Sequence, residues 1–207
     1  MTPPLLSRRR AAAALVALPA CWTGARAQPA APRMLTPRQT EGPFYPVELP
    51  KDSDADLLRN GSAVYARGQA SWIDGVVSDP SGRPVRGATV EIWQCDEAGR
   101  YHHPGDGGRA DPSFQGFGRV VVGADGRYRF RTIRPVAYSG RTPHIHFKVK
   151  LAQRELLTTQ MYVQGDPGNE RDFLWRNLAP DARAALTVAF RSGAGGLAAH
   201  FPIIVNA

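Results

Sequence analysis

The sequence predicts an all-β fold, an antiparallel β-sandwich with long loops and at most short helices. Three observations carry that expectation. Apolar residues recur at period two in several short runs, most clearly where Ile145, Phe147 and Val149 alternate with His144, His146 and Lys148. Turn-forming clusters such as Asp79-Pro80-Ser81-Gly82-Arg83 and Ala124-Asp125-Gly126 separate the runs. The 207 residues include 18 Pro and 21 Gly, which favour many short strands joined by turns, and a hydrophobic content of 43% suffices for one domain with its own core.

Residues 1–27 read as an export signal. Ser7-Arg8-Arg9-Arg10 precedes the apolar run 11–20, and Ala25-Arg26-Ala27 offers a small-x-small cleavage site. Paired arginines before such a run resemble a twin-arginine signal, whose pathway carries folded proteins, so the expected destination is the bacterial periplasm. An ordinary secretory signal is the alternative, and Leu18-Pro19-Ala20-Cys21 is faintly like a lipoprotein box. The apolar run is too short to span a bilayer, so no stable membrane insertion is expected. Cleavage after Ala27 leaves Cys95 as the single cysteine, which excludes an internal disulfide. It also leaves 22 of the 26 basic residues against 18 acidic ones, a net charge of +4. These charges are scattered rather than striped, which argues against nucleic acid as a partner.

Residues 28–39, with Pro29, Pro32 and Pro37, read as an extended leader, and the domain occupies residues 40–207. Phe44 and Tyr45 read as an aromatic anchor pinning the leader onto that domain. Residues 52–60 are polar around Leu57-Leu58, the pattern of a single helical turn. Residues 70–78 and 85–94 are strand-like and read as a hairpin, with Val90, Ile92 and Gln94 on one face and Glu91 and Trp93 on the other. Asp96-Glu97-Ala98-Gly99 turns the chain into Arg100-Tyr101-His102-His103, followed by a glycine-rich loop to Gly118. Residues 119–122 and 127–133 read as a second strand pair, with Tyr128 and Phe130 in the core. A strand at 156–163 carries Gln160, residues 166–177 are a polar connection, 180–190 has helical spacing, and 201–205 is a last short strand.

The chemistry centres on His144 and His146. At i and i+2 both imidazoles project from one face of a strand and can reach a single metal ion, although two such histidines are also compatible with packing or exposure. The other donors near them in sequence are tyrosines: Tyr138, six residues before His144, and Tyr101 further upstream. A trivalent cation favours the phenolate over the phenol, and two phenolates with two neutral imidazoles suit Fe(III). His102 and His103 are adjacent on an extended segment and point to opposite sides, so at most one of them joins Tyr101. A zinc hydrolase built on His144 and His146 is a further class, but no His-Glu-x-x-His pattern accompanies them.

At this point a resemblance emerges. GPFYP at 42–46, VRGATVEIWQCDEAGRYHH at 85–103, DPSFQGFGR at 111–119, GRYRFRTIRPVAY at 126–138, RTPHIHFKV at 141–149 and TTQMYVQGD at 158–166 resemble, in order, the motifs of the intradiol ring-cleavage dioxygenases. The likeness is closer to the iron-bearing subunit of the protocatechuate 3,4-dioxygenase type. It implies a β-sandwich of that family and an Fe(3+) ion held by Tyr101, Tyr138, His144 and His146. Tyr138 would leave the metal and take a substrate proton. Arg141 would stabilise charge on the ring, and Gln160 would hydrogen-bond a ligand or the substrate. The GPFYP segment would border the substrate pocket. The implied partners are a small aromatic diol and O2, with a homo-oligomer possible, and the implied product is a cis,cis-muconate-type diacid. A non-catalytic binding module or partner subunit is the alternative. Two departures stand out. The chain has no room for the long helical segment of catechol-type relatives, and Ser139-Gly140 stands where protocatechuate enzymes carry bulkier residues, which predicts a wider pocket.

Overall fold

The strand Ala70–Ser78 shows how the sequence builds the core. Its buried positions alternate, with Ile73 and Val77 fully inside and Trp72, Asp74 and Val76 towards solvent. Gly75 shares the inner face because nothing larger fits: a Cβ there would lie 2.1 Å from the Phe201 carbonyl oxygen and 2.7 Å from the Tyr128 hydroxyl. Tyr128 is buried, as expected, and its hydroxyl donates to that same carbonyl.

The computed structural model describes residues 33–207, so the expected export signal and the first five residues of the expected leader lie outside the described residues. In chain order the strands are β1 (Arg59–Asn60), β2 (Ala63–Val64), β3 (Ala70–Ser78), β4 (Ala88–Trp93), β5 (Phe117–Val121), β6 (Arg127–Ile133), β7 (His144–Leu151) and β8 (Arg154–Val163). Two short helices follow, α1 (Phe173–Arg176) and α2 (Pro180–Leu186), then β9 (Thr187–Val188), β10 (Arg191–Gly193), β11 (Gly196–His200) and β12 (Ile203–Ile204). One sheet runs β5-β4-β7-β8-β9; the other has β3 at its centre, with β6 on one side and β11 and β12 on the other. Their inner faces share one core, in which Ile73, Phe130 and Ile133 of the second sheet meet Ile92, Ile145, Phe147 and Met161 of the first. This is the expected sandwich, mostly antiparallel, with short parallel pairings of β11 and β12 on β3 and of β9 on β8. Among the described residues no helix is long and apolar enough to cross a membrane.

Several local expectations are corrected. Strands β3 and β4 are not a hairpin. The turn closes as expected, with Asp79 N donating to the Arg83 carbonyl at 2.8 Å and Gly82 at φ 88°, but the chain then crosses to the other sheet, where β4 pairs with β5 and β7. Likewise β5 and β6 flank the Asp125-Gly126 turn yet lie in different sheets. A turn reverses the chain locally, whereas the pairing partner is set by which apolar faces must be covered. Residues 52–60 form no helical turn. Asp54 and Asp56 instead accept the backbone N–H groups of Asp56 and Leu58, local bonds that compete with a helix, and Leu57 and Leu58 drop into the core. The 180–190 helix stops at Leu186 because Thr187 and Val188 pair with Tyr162 and Val163.

Candidate metal centre

Strand β7 is buried along both faces for most of its length. Ile145, Phe147 and Val149 point into the core, while His144, His146 and Lys148 point outward beneath the N-terminal segment. Register fixes the neighbours: His146 lies opposite Trp93 of β4 and Gln160 of β8, and His144 lies opposite Tyr162. Trp93 stacks on the His146 ring at 4.8 Å and 9°. His144 Nδ1–H donates to the Thr142 carbonyl at 2.6 Å, which leaves its Nε2 lone pair free. The two Nε2 atoms are 3.1 Å apart. That spacing matches two nitrogens each about 2.1 Å from a shared ion at roughly right angles.

Tyr101 arrives from the loop after β4. Asp96 rigidifies that loop by accepting the N–H groups of Ala98, Arg100 and Asp111, and Asp106 accepts the N–H of Tyr101 itself at 2.7 Å. Phe44 stacks on the Tyr101 ring at 4.7 Å, and the Tyr101 hydroxyl is buried with no hydrogen-bond partner. Tyr138 comes from the tight loop before β7. Ser139 and Gly140 both have positive φ, 42° and 77°, as in a type I′ turn, and Tyr138 and Arg141 bond each other across it. The Tyr138 ring lies 4.9 Å from Tyr101 and 5.4 Å from His144, and Tyr101 lies 6.2 Å from His146. The structure therefore brings Tyr101, Tyr138, His144 and His146 to one place. It brings neither His102, whose Nε2 faces the Phe114 carbonyl at 2.6 Å, nor His103, whose Nδ1 accepts from Gly105 N.

Electrostatics point the same way. Burial, then the Arg141 charge, pulls His144 down to about 4, and burial, then His144 and Arg141, holds His146 well below the usual imidazole value. Burial pushes the Tyr101 phenol well above its ordinary value and raises Tyr138 as well. All four groups are neutral at pH 7 unless a cation supplies the missing charge. The partnerless Tyr101 hydroxyl and the paired Nε2 atoms fit such an ion, and phenolate oxygen with imidazole nitrogen suits ferric iron. Among the described residues no cluster of three or more His, Cys, Asp or Glu offers a rival site.

Arg141 is 11% exposed and doubly held: its Nε donates to Asp172 Oδ2 and its Nη2 to Gln160 Oε1, both at 2.7 Å. Gln160 is held in turn, donating to the Thr40 carbonyl at 2.9 Å. Asp172 is the residue that sequence inspection missed inside a polar connection. Its Oδ1 caps α1 through the N–H groups of Leu174 and Trp175, and its Oδ2 also accepts from Thr142 N. An Asp just before Phe173-Leu174-Trp175-Arg176 is a helix-start signal that marks the cap, though not the guanidinium it holds. Beside Tyr138 and Arg141 a concavity of about 270 Å³ opens, walled in part by Ser139, Gly140, Gly168 and Arg171.

Asp172→Asn is expected to cost about 3–5 kcal/mol at pH 7, because it breaks a buried ion pair while keeping the side-chain shape. Hydrogen bonds and the Arg141 charge hold the Asp172 carboxyl below its ordinary value against burial, so its stabilisation is present above the unfolded carboxyl pKa and fades as pH falls through the folded one. The gap between wild-type and variant unfolding midpoints should therefore narrow towards pH 3, which denaturant titrations across pH will measure.

Fold and site together define a class: a β-sandwich in which two phenols and two neutral imidazoles converge beside a fixed guanidinium. The Dioxygenase_C family model, described as "Dioxygenase", matches residues 40–203. The protocatechuate 3,4-dioxygenase beta chain of Burkholderia cepacia is 37% identical over 74% of this chain and 70% of its own length. The hydroxyquinol 1,2-dioxygenase of Corynebacterium glutamicum is 35% identical over 61% of this chain, and catechol 1,2-dioxygenase 1 of Acinetobacter lwoffii 32% over 79%. The match spans only 45% and 56% of the lengths of these two relatives. Among solved structures, the dioxygenase domain of a dioxygenase carbohydrate-binding protein fusion from Streptomyces sp. SirexAA-E superposes with a TM-score of 0.67 at 32% identity, over 84% of this chain and 99% of its own. The chain belongs to the intradiol ring-cleavage dioxygenase family.

Proposed function

We propose that this chain is a non-haem Fe(III) intradiol dioxygenase acting on a catechol-type aromatic diol. The observation that carries this is the buried, partnerless Tyr101 hydroxyl beside two neutral imidazoles whose Nε2 atoms are 3.1 Å apart. In this reading Tyr101, Tyr138, His144 and His146 hold Fe(3+), which when bound makes the diol dianion reactive towards O2. The bond between the two hydroxylated carbons breaks, and both oxygen atoms of O2 enter the cis,cis-muconate-type diacid. Catechol plus O2 already equals the product in atoms and electrons, so no external reductant is needed.

The chain's residues have separate tasks. Tyr138 is only half-buried and borders the concavity, so it is the phenolate free to swing away and accept a substrate proton at its oxygen. Tyr101, locked under Phe44 and 2% exposed, stays in place. Arg141, held by Asp172 and Gln160, presents a fixed positive charge to the ring as negative charge develops there. The exposed Ser139 and Gly140 put only small groups on the wall of the concavity beside Tyr138 and Arg141, which suits substituted diols. The same proposal assigns residues 1–27 to export into the periplasm.

Oxygen uptake with catechol, protocatechuate and hydroxyquinol, with ultraviolet spectra of the products, tests the activity; no uptake by iron-loaded protein with any of the three refutes it. The loaded protein should be burgundy from tyrosinate-to-iron charge transfer. Tyr101→Phe is expected to weaken or shift that band sharply, and an unchanged visible spectrum removes Tyr101 from the ligand set.

A further inference from the structure

The segment over the outer face of β7 is attached in an unusual way. Gln39 N donates to the Thr158 carbonyl at 3.0 Å, and the Ser53 carbonyl accepts from Arg119 N at 2.8 Å. Between these points, among the described residues, no backbone-to-backbone hydrogen bond ties residues 40–52 to the rest of the fold. Side chains and close packing hold them instead, and they do so directly over the donor cluster. Gly42, at φ 74°, lies so close to His146 that a Cβ would sit 3.3 Å from His146 Cε1. Phe44 covers Tyr101, and Tyr45 packs edge-on against Trp93 at 5.0 Å.

Charge fastens the segment. Lys148, two residues beyond His146 on the same face, pairs with Glu41, and its ammonium sits 3.9 Å from the Tyr45 ring centre. The Lys148 side chain is 7% exposed, whereas Glu41 is 42% exposed. Glu155 of β8 lies 3.6 Å from the same ammonium, so Lys148 keeps a partner when Glu41 departs. The open state is thus spared a stranded buried charge, the usual penalty for breaking such a pair. A segment with few backbone bonds and a replaceable ion pair belongs to the low-stability end of a structure.

We propose that residues 40–52 are a flap closing over the metal-ligand cluster, and that the Glu41–Lys148 pair is the latch that governs how fast the ion is lost. This rests on the assignment of iron to Tyr101, Tyr138, His144 and His146. The competing exit is the concavity beside Tyr138, which the latch does not touch.

The test uses the iron-loaded full-length chain challenged with excess ferric chelator, following the visible band and the iron content by elemental analysis. Glu41→Gln and Lys148→Met should lose iron on the order of two- to fivefold faster than wild type, as expected for removal of a weak ion pair, while Lys148→Arg should stay near the wild-type rate. Higher ionic strength should speed release from wild type and leave Lys148→Met nearly unchanged. Hydrogen exchange of peptides covering 40–52 should quicken in Glu41→Gln, with peptides from β7 and β8 unaffected; general destabilisation would move both. If wild type loads iron and both variants release it at the wild-type rate, the flap is wrong and the iron assignment stands. If wild type takes up no iron at all, both fall.

Discussion

The His146→Ala protein is expected to bind iron at least on the order of a hundredfold more weakly and to show no ring cleavage at limiting iron. Losing even an outer partner of a ligating group costs about 10–100-fold in affinity, and His146 supplies one of the two nitrogens that face each other at 3.1 Å. The fold should survive, because the His146 ring lies on the outer face of β7 between Trp93 and the flap, outside the shared core of the two sheets. Elemental analysis after reconstitution, with circular dichroism as the control, measures this. Full iron content in the variant would place the ion elsewhere.

Arg141→Ala is expected to lower kcat by about 10²–10³-fold, the scale of losing one preorganised charge-stabilising donor, while iron content changes little. The guanidinium contacts Asp172 and Gln160 rather than any of the four donors, so its loss should spare the metal and cost the reaction. Arg141→Lys should rescue poorly, because a single ammonium does not reproduce a planar fork that reaches Asp172 through Nε and Gln160 through Nη2. Oxygen uptake at saturating diol separates the outcomes: a raised KM with unchanged kcat would make Arg141 a binding residue only. The stranded Asp172 carboxylate will also lower stability, so the thermal midpoint must be measured alongside.

The shared face of His144 and His146 was legible because its signal is local, whereas Tyr101 lies 43 residues upstream of His144 and no local pattern ties it to the pair. His144 and His146 at i and i+2 share a face on any strand, and the tight Ser139-Gly140 loop keeps Tyr138 near them. The core pattern of β3, β6, β7 and β8 was legible for the same reason, since alternation is a property of neighbouring residues. Both assumed hairpins failed where pairing is not local: the Asp79–Arg83 and Asp125-Gly126 turns were real, yet each joins strands of different sheets. Asp172 stayed hidden for a related reason, since it reaches Arg141 across 31 residues and nothing in its own surroundings signals a guanidinium.

By itself, then, the sequence determined which residue types alternate, where the chain turns, and that His144 and His146 share one face of a strand, because each follows from the order of adjacent residues. Only the tertiary structure decided that Tyr101 meets Tyr138, that Asp172 and Gln160 grip Arg141, and that residues 40–52 cover the cluster. Those contacts join distant segments, and what fixes them is the burial of two sheets against each other, which no stretch of a dozen residues contains.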